Sequence, residues 1–486
     1  MKSVKVNAVL NVLKTVCSIL FPLITTPYAT RVLTASNYGK VSFSSSIISY
    51  FVLISSLGIW TYVQREGPRI RDNKKSFEEF SAEIFTINII STIIAYILLF
   101  GVIGISAKLQ NYTPLLLVQS IQVFLTAIGA DWVNQVYEDY FYVTVRYIVM
   151  QFLGIASLLL FVKTKQDYIL YAFIMVMASA GGNLFNIFYI RRYTKLHLTN
   201  VSKCIKHLKP ILKLFAVNVA TTIYVSSDIT ILGFLASDKD TGIYKLTSNI
   251  YTIIKSLLSA ILIVAMPRLS YYLGNRDKDG YLKLLKNIVD STITFILPAL
   301  AGLFMLSSQM ILVLGTKEFL SGDLSLKILS ISAFFSTFAS IFSSSIILLY
   351  KRDNVYLFAT FFSSVLNIVL NFILIPYLSY NGAALTTLLA EMSMMVIAAY
   401  FSLQITEIRE NIRYIFGSKR IIFSSMCGAL IIVAVCYFAL QLQMIPILRI
   451  LLSVVVSGFI YLTICLVSKN YIVYNFIDSL KVKLKK

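Results

Sequence analysis

Long apolar stretches alternate along this chain with short polar ones. A helix of about 20 apolar residues crosses the roughly 30 Å hydrocarbon layer of a bilayer. Fourteen such stretches are read here, at 7–33, 38–63, 82–107, 112–133, 142–162, 167–190, 211–235, 241–266, 287–308, 322–350, 354–376, 381–404, 421–440 and 446–467. Open sheet edges cannot be satisfied in lipid, so the spans are expected to be helices. The expected class is an all-α polytopic membrane protein with about 14 transmembrane helices. The first stretch is too long for the apolar core of a signal peptide and lacks a small-residue cleavage site, so it reads as a span.

The polar stretches set orientation. Basic loops occur at 65–75, 191–209, 268–286, 351–352 and 409–420, and the tail ends in "KVKLKK". They alternate with loops poor in Lys and Arg, so all fall on one side together with both termini. Cytoplasmic loops carry such a surplus, which places both termini in the cytoplasm. The opposite loops are all short.

The pattern also repeats. "YGKVSFSSSIIS" (38–49) aligns without gaps on "TGIYKLTSNIYT" (241–252) at an offset of 203, and Arg65 then falls on Arg268. Span two thus matches span eight. The expected organisation is two pseudo-symmetric six-helix lobes, 1–190 and 211–404, joined by a basic cytoplasmic linker at 191–210. Spans 13 and 14 and a basic tail occupy 405–486. Parallel repeats of this kind are a frequent transporter design, with the site at the lobe interface.

Composition agrees with this class. Hydrophobic residues make up 58% and charged ones 13%, about half the share of a soluble domain; the mean hydropathy is +0.79. The net charge of +21 is that of the loops and does not imply nucleic acid. Five cysteines, an odd number with no CxxC, imply neither disulfide nor metal. His197 and His207 share one basic loop. No nucleotide-binding or hydrolase motif is present, so no catalytic residue is assigned and the chain is read as a non-enzyme.

Chemistry enters where polar residues keep helical spacing inside a span. Thr241, Lys245, Ser248, Thr252, Lys255 and Ser259 step by three or four along one face. Asn7, Asn11, Lys14 and Ser18 do the same in span one, with Thr25 a further two turns on, as do Ser42, Ser45 and Ser49 in span two and Thr221, Tyr224 and Asp228 in span seven. Serines and threonines alone are equally suited to helix contacts. A lysine is not: a charge at mid-bilayer costs about 2.5–3.5 kcal/mol even on the lenient insertion scale. Lys14 lies two turns from one end and can partly snorkel, whereas Lys255 lies near the centre. Asp228, Asp290 and Glu391 either neutralise such lysines or bind a coupling ion. Pro22 and Pro27 put kinks in span one.

Several segments together resemble the oligosaccharide repeat-unit flippases (Wzx type) of the multidrug/oligosaccharidyl-lipid/polysaccharide exporter superfamily. They are "LKTVCSILFPLITTPYATRVLTASNYGKVSFSSS", "REGPRIRDN", "DWVNQVYEDYFYVTVR", "DITILGFLASDKDTGIYKLTSNI", "MPRLS" and "YNGAALTTLLAE". Asp131, Trp132, Gln135 and Glu138 carry the third of these. One departure is Asn134-Gln135-Val136, where the family often has Phe-Gln-Gly. The resemblance covers spans one to twelve.

The resemblance implies two lobes in a V shape that open alternately to either side of a cationic cavity. It implies a lipid-linked oligosaccharide substrate on undecaprenyl pyrophosphate, moved from the inner to the outer leaflet of the bacterial plasma membrane. The product would feed capsule, O-antigen or exopolysaccharide assembly. Membrane lipids, and a polysaccharide polymerase with its assembly proteins, are the partners this suggests. No cofactor is implied, and coupling to Na+ or H+ stays open. The expected substrate-facing set has Arg31, Lys40 and Lys245 near the outer end and Lys14, Arg65 and Arg268 near the inner end, with Lys255 between. Ser18, Ser45, Ser248 and Thr252 join it on the same faces, and Asp228 and Glu391 are the candidates for charge pairing or coupling. Lysines supply point charges for a diphosphate without one fixed geometry. The rival readings are a multidrug exporter or lipid II flippase of the same superfamily and, in another class, a polysaccharide polymerase. The short outer loops leave no room for a polymerase's external catalytic loop.

Overall fold

A computed structural model of the chain describes residues 4–475 and residue 478. Its regular elements are all helical among the described residues. Ten helices are long and apolar enough to cross a membrane, or eleven if the bent pair Asp238–Ser259 and Val264–Gly274 is one span. The protein is therefore a multi-pass helical membrane protein, with fewer separate helices than the fourteen stretches read from the sequence. The difference has a local cause. The helices Val4–Ser56 (α1) and Asp353–Leu403 run 53 and 51 residues, more than twice what one crossing requires. Each contains one residue with non-helical backbone, Thr34 at φ 68° and Ser379 at φ 48°. Non-glycine residues rarely take positive φ, because Cβ crowds the backbone; here it turns the chain without a loop. Thr113–Gly129, at 17 residues, falls short of the length required.

The chain folds as two compact units, 1–242 and 243–486. In the first, α1 packs against α2 (Lys74–Ile105), α3 (Thr113–Gly129), α4 (Tyr140–Phe161) and α5 (Val201–Leu235). Here α5 also packs on α2. The second half of the 191–210 segment is helical, since α5 starts at Val201, where Asn200 caps the Ser202 amide at 3.0 Å. In the second unit, α7 (Lys278–Met305) packs against α10 (Lys419–Gln441), α8 (Asp323–Ser340) against α9 (Asp353–Leu403), and α10 against α11 (Pro446–Val467). The helix α6 (Asp238–Gly274) begins in the first unit and runs into the second.

Polar contacts hold these helices together, because lipid supplies no hydrophobic drive between them. Ser55 of α1 shares a 2.7 Å hydrogen bond with Thr92 of α2, and its carbonyl accepts from Asn88 (2.8 Å) and Ser91 (2.6 Å). In the second unit, Leu285, Val289 and Ile296 of α7 are fully buried with Ile346, Ile408 and Ile415.

The repeat has a structural counterpart inside the first unit. A Cβ on Gly39 would lie 1.8 Å from the Asp238 carbonyl oxygen, and one on Gly242 would lie 2.0 Å from the Ala35 carbonyl oxygen. The offset of 203 carries Ala35 onto Asp238 and Gly39 onto Gly242. The contact is therefore reciprocal: each glycine admits the backbone that precedes the other. Only glycine permits helices to approach so closely. Beside it, the Tyr112 hydroxyl donates to the Asp238 carboxylate, and Phe43 meets Tyr112 edge-on at 5.0 Å.

Candidate functional site

In the second unit, α6 presents Tyr251 and Lys255 one turn apart, and α9 presents Glu391 to both. The Lys255 ammonium donates to Glu391 Oε1 at 2.7 Å, and the Tyr251 hydroxyl donates to the same oxygen at 3.1 Å. The ammonium also lies 5.7 Å from the Tyr251 ring centre, a cation–π distance. The side chain of Glu391 is 6% exposed and that of Lys255 31%. The acid is thus sealed while the lysine keeps an open side. Of the three acids read as neutralising partners, Glu391 is the one paired with Lys255. Lys245 and Ser248 of the same stripe are half-buried. Thr252 is exposed, with its hydroxyl returned to the Ser248 carbonyl at 2.8 Å. Arg268 is exposed.

A second pair lies on α7. Lys286 donates to Asp290 at 2.6 Å, four residues on, and Asp290 is fully buried. Ser418 (2.8 Å) and Tyr471 (2.5 Å) donate to the same carboxylate oxygen. Asp290 neutralises a lysine, but a neighbour on its own helix that the polar stripes did not include.

In the first unit, Lys14 is half-buried, with its ammonium 5.5 Å from the Tyr147 ring centre of α4. Arg146, one residue before Tyr147, grips Asp131 at 2.6 and 2.8 Å. Asn186 donates to Asp131 at 3.0 Å and accepts from Asn134 at 2.7 Å. The departure at Asn134 thus has a local role: its amide orients the amide that holds Asp131. Arg146 escaped the sequence reading although it stands alone in the apolar run of span five; its charge was the signal. The side chains of Asn7 and Asn11 lie outside the described residues, as does the end of the tail.

Lys40 lies 5.6 Å from the Tyr168 ring centre and lines a pocket of about 290 Å³ with Lys108, Asn111 and Asp238. Ser45 lines a larger cleft of about 420 Å³ between α1, α3 and α5. Ser18 is exposed and bonded to the Thr15 carbonyl at 2.7 Å. Arg31 and Arg65 are exposed, and Asp228 is buried. The structure gathers Lys255 with Glu391, Lys14 with Tyr147, Arg146 with Asp131, and Lys40 with Lys108.

His207 is not a loop residue. It is buried in α5, between the Glu83 carboxylate at 2.7 Å and the Tyr62 hydroxyl at 2.7 Å, with Lys206 at 2.9 Å from the same acid. Among the described residues, no group of three or more His, Cys, Asp or Glu side chains is placed to hold a metal ion.

Long helices that turn at single residues, an internal repeat and ion pairs held between apolar helices define a class of polytopic membrane protein. Within that class, the chain belongs to the family described as "Polysaccharide biosynthesis protein", which matches residues 4–273. It is 24% identical over 281 residues to a protein of Escherichia coli (strain K12) named for O-antigen transport, covering 55% of this chain and 65% of that protein. A similarly named protein of Shigella dysenteriae is 22% identical over 255 residues, covering 52% of this chain and 63% of that one. The chain thus spans somewhat less than two thirds of the length of these relatives. Among solved structures, the lipid II flippase MurJ in an inward closed conformation superposes with a TM-score of 0.74, covering 96% of this chain and all of that one at 16% identity. An inward-facing multidrug-resistance transporter of the MATE family gives 0.62 over 81% of this chain and 96% of that one, at 12% identity. At these identities the likeness is one of fold. Together, the family and its relatives bear out the resemblance read from the sequence motifs.

Proposed function

We propose that this protein is a flippase that moves undecaprenyl-pyrophosphate-linked oligosaccharide units from the inner to the outer leaflet of the bacterial plasma membrane. Both termini face the cytoplasm in this reading, which follows the side of the basic loops. The moving bodies are the lobes 1–190 and 211–404, linked by 191–210, with 405–486 attached to the second. The carrying observation is Lys255: a charge deep in a span, held by Glu391 on one side and open on the other. A lysine so held offers its remaining N–H groups to an anion without leaving its acid uncompensated. The family match and the O-antigen-related relatives support a polysaccharide precursor as the cargo.

Lys14 and Arg146, and, near the turn of α1, Lys40 with Lys108, extend the path as separate basic stations for the diphosphate. Glu391 is also the group on which coupling to H+ or Na+ would act. The product would pass to a polymerase and its assembly proteins. The test is a deletion strain complemented with Lys255→Ala and Lys255→Arg. Loss of the protein should cause lipid-linked single units to accumulate on the inner leaflet, with Lys255→Ala failing to relieve this and Lys255→Arg relieving it in part. Accumulation on the outer leaflet would indicate a polymerase instead, and full export by Lys255→Ala would remove Lys255 from the path.

A further inference from the structure

The cleft of about 420 Å³ in the first unit has no ionisable residue in its lining. Its volume lies within the range of small-molecule sites. Ser45, Ser49 and Ser56 line it from α1, spaced by four and seven residues and so on one face. Asn218 and Thr222 face it from α5, one turn apart, and Gln122 enters from α3. Val52 and Leu53 supply the apolar part of the wall. Some of these hydroxyls are spent within the protein: Ser49 donates to the Ser46 carbonyl at 2.6 Å, and Ser56 to the Leu53 carbonyl at 3.1 Å. The side chains of Ser45, Gln122, Asn218 and Thr222 make no hydrogen bond to the protein among the described residues.

We infer that this cleft seats a neutral, hydroxyl-rich sugar ring of the cargo. The inference rests on the flippase reading above and deepens it. Two carboxamides and two hydroxyls combine donors with acceptors, as sugar hydroxyls do. An anion would need a cation in the wall, and an organic cation would need an acid or an aromatic face; neither lines the cleft. Unpaired amides within a membrane span are costly unless something wet or polar meets them. The sugar and the diphosphate are then read by different residues, the first by neutral groups on α1, α3 and α5 and the second by the basic stations.

The test is binding by the purified full-length protein in nanodiscs. The probes are undecaprenyl diphosphate and undecaprenyl diphosphate carrying one neutral hexose. The native protein should bind the hexose-bearing lipid about tenfold more tightly than the bare one, since each neutral hydrogen bond contributes only a few-fold. Asn218→Leu and Gln122→Leu should each reduce that preference by about three- to tenfold and leave the bare lipid unaffected. Ser45→Leu fills the cleft from an exposed position, so its effect does not depend on repacking a buried side chain. Equal weakening toward both lipids, or a preference that survives all three substitutions, overturns the assignment while the flippase reading stands. If the native protein binds neither lipid, the flippase reading fails and the sugar cleft fails with it.

Discussion

At the scale of single residues, the decisive quantity is how each buried charge is compensated. Glu391 accepts from both Lys255 and Tyr251 on one oxygen. Removing one partner of a buried ion pair leaves an uncompensated charge, at about 3–5 kcal/mol. With Lys255 31% exposed, the lower end is expected. Lys255→Met and Glu391→Gln should each destabilise the purified protein by about 3 kcal/mol, and the double variant by less than their sum. Thermal unfolding in detergent measures this, and additive losses would show the two side chains to be uncoupled. The sequence revealed Lys255 because it breaks an apolar run, but not its partner: Glu391 lies 136 positions away, and helix periodicity says nothing about which face meets which helix. Arg146 was equally visible as a charge, yet its role depends on Asp131 and on Asn186, which only the fold brings to Asp131.

At the scale of elements, long helices are joined by strained turns and held by ionic latches. Glu407, in the short helix Thr406–Glu410 beyond the end of α9, accepts from Lys278 at the start of α7 and from the Tyr350 hydroxyl. Those hydrogen bonds, Lys278's foremost, hold its carboxyl below the usual carboxylate range. A carboxylate with a depressed folded pKa stabilises above its unfolded pKa, near 4.3, and loses that stabilisation as pH falls through the lower folded value. Glu407→Gln should therefore lower the melting temperature at pH 7, and its deficit should shrink below about pH 4. A deficit that stays constant with pH would show that the ion pair is not the cause. The crossing at Gly39 and Gly242 tolerates no side chain, since a Cβ on either would overlap backbone. Gly39→Val and Gly242→Val should separate the two helices and expose their surroundings. A cysteine at Thr113, beside Tyr112, should then react faster with a membrane-impermeant maleimide; unchanged labelling would show that the crossing does not hold this end closed. The glycines were legible as part of a repeat, but nothing in the sequence said that the two copies touch.

At the scale of the whole molecule, hydropathy carried the class. Apolar runs, their spacing and the charge of their loops are one-dimensional signals, and lipid enforces them. The number of separate helices was not legible, because a residue such as Thr34 or Ser379 turns the chain with no polar loop to announce it. Orientation can be tested by reporter fusions: the segments 191–200 and 351–352 should report cytoplasmic, and 106–112 external. The opposite result would reverse the direction of transport. The reciprocal glycine contact reaches furthest in time. Two equivalent surfaces that each receive the other form the kind of contact identical chains make across a two-fold axis. A half-length ancestor pairing with its own copy would have made this crossing with one glycine, used twice. Duplication and fusion would have split that glycine into two genetic positions without splitting the constraint, so Gly39 and Gly242 should resist mutational drift as a pair. A screen of random substitutions should recover neither position changed on its own in a functional chain.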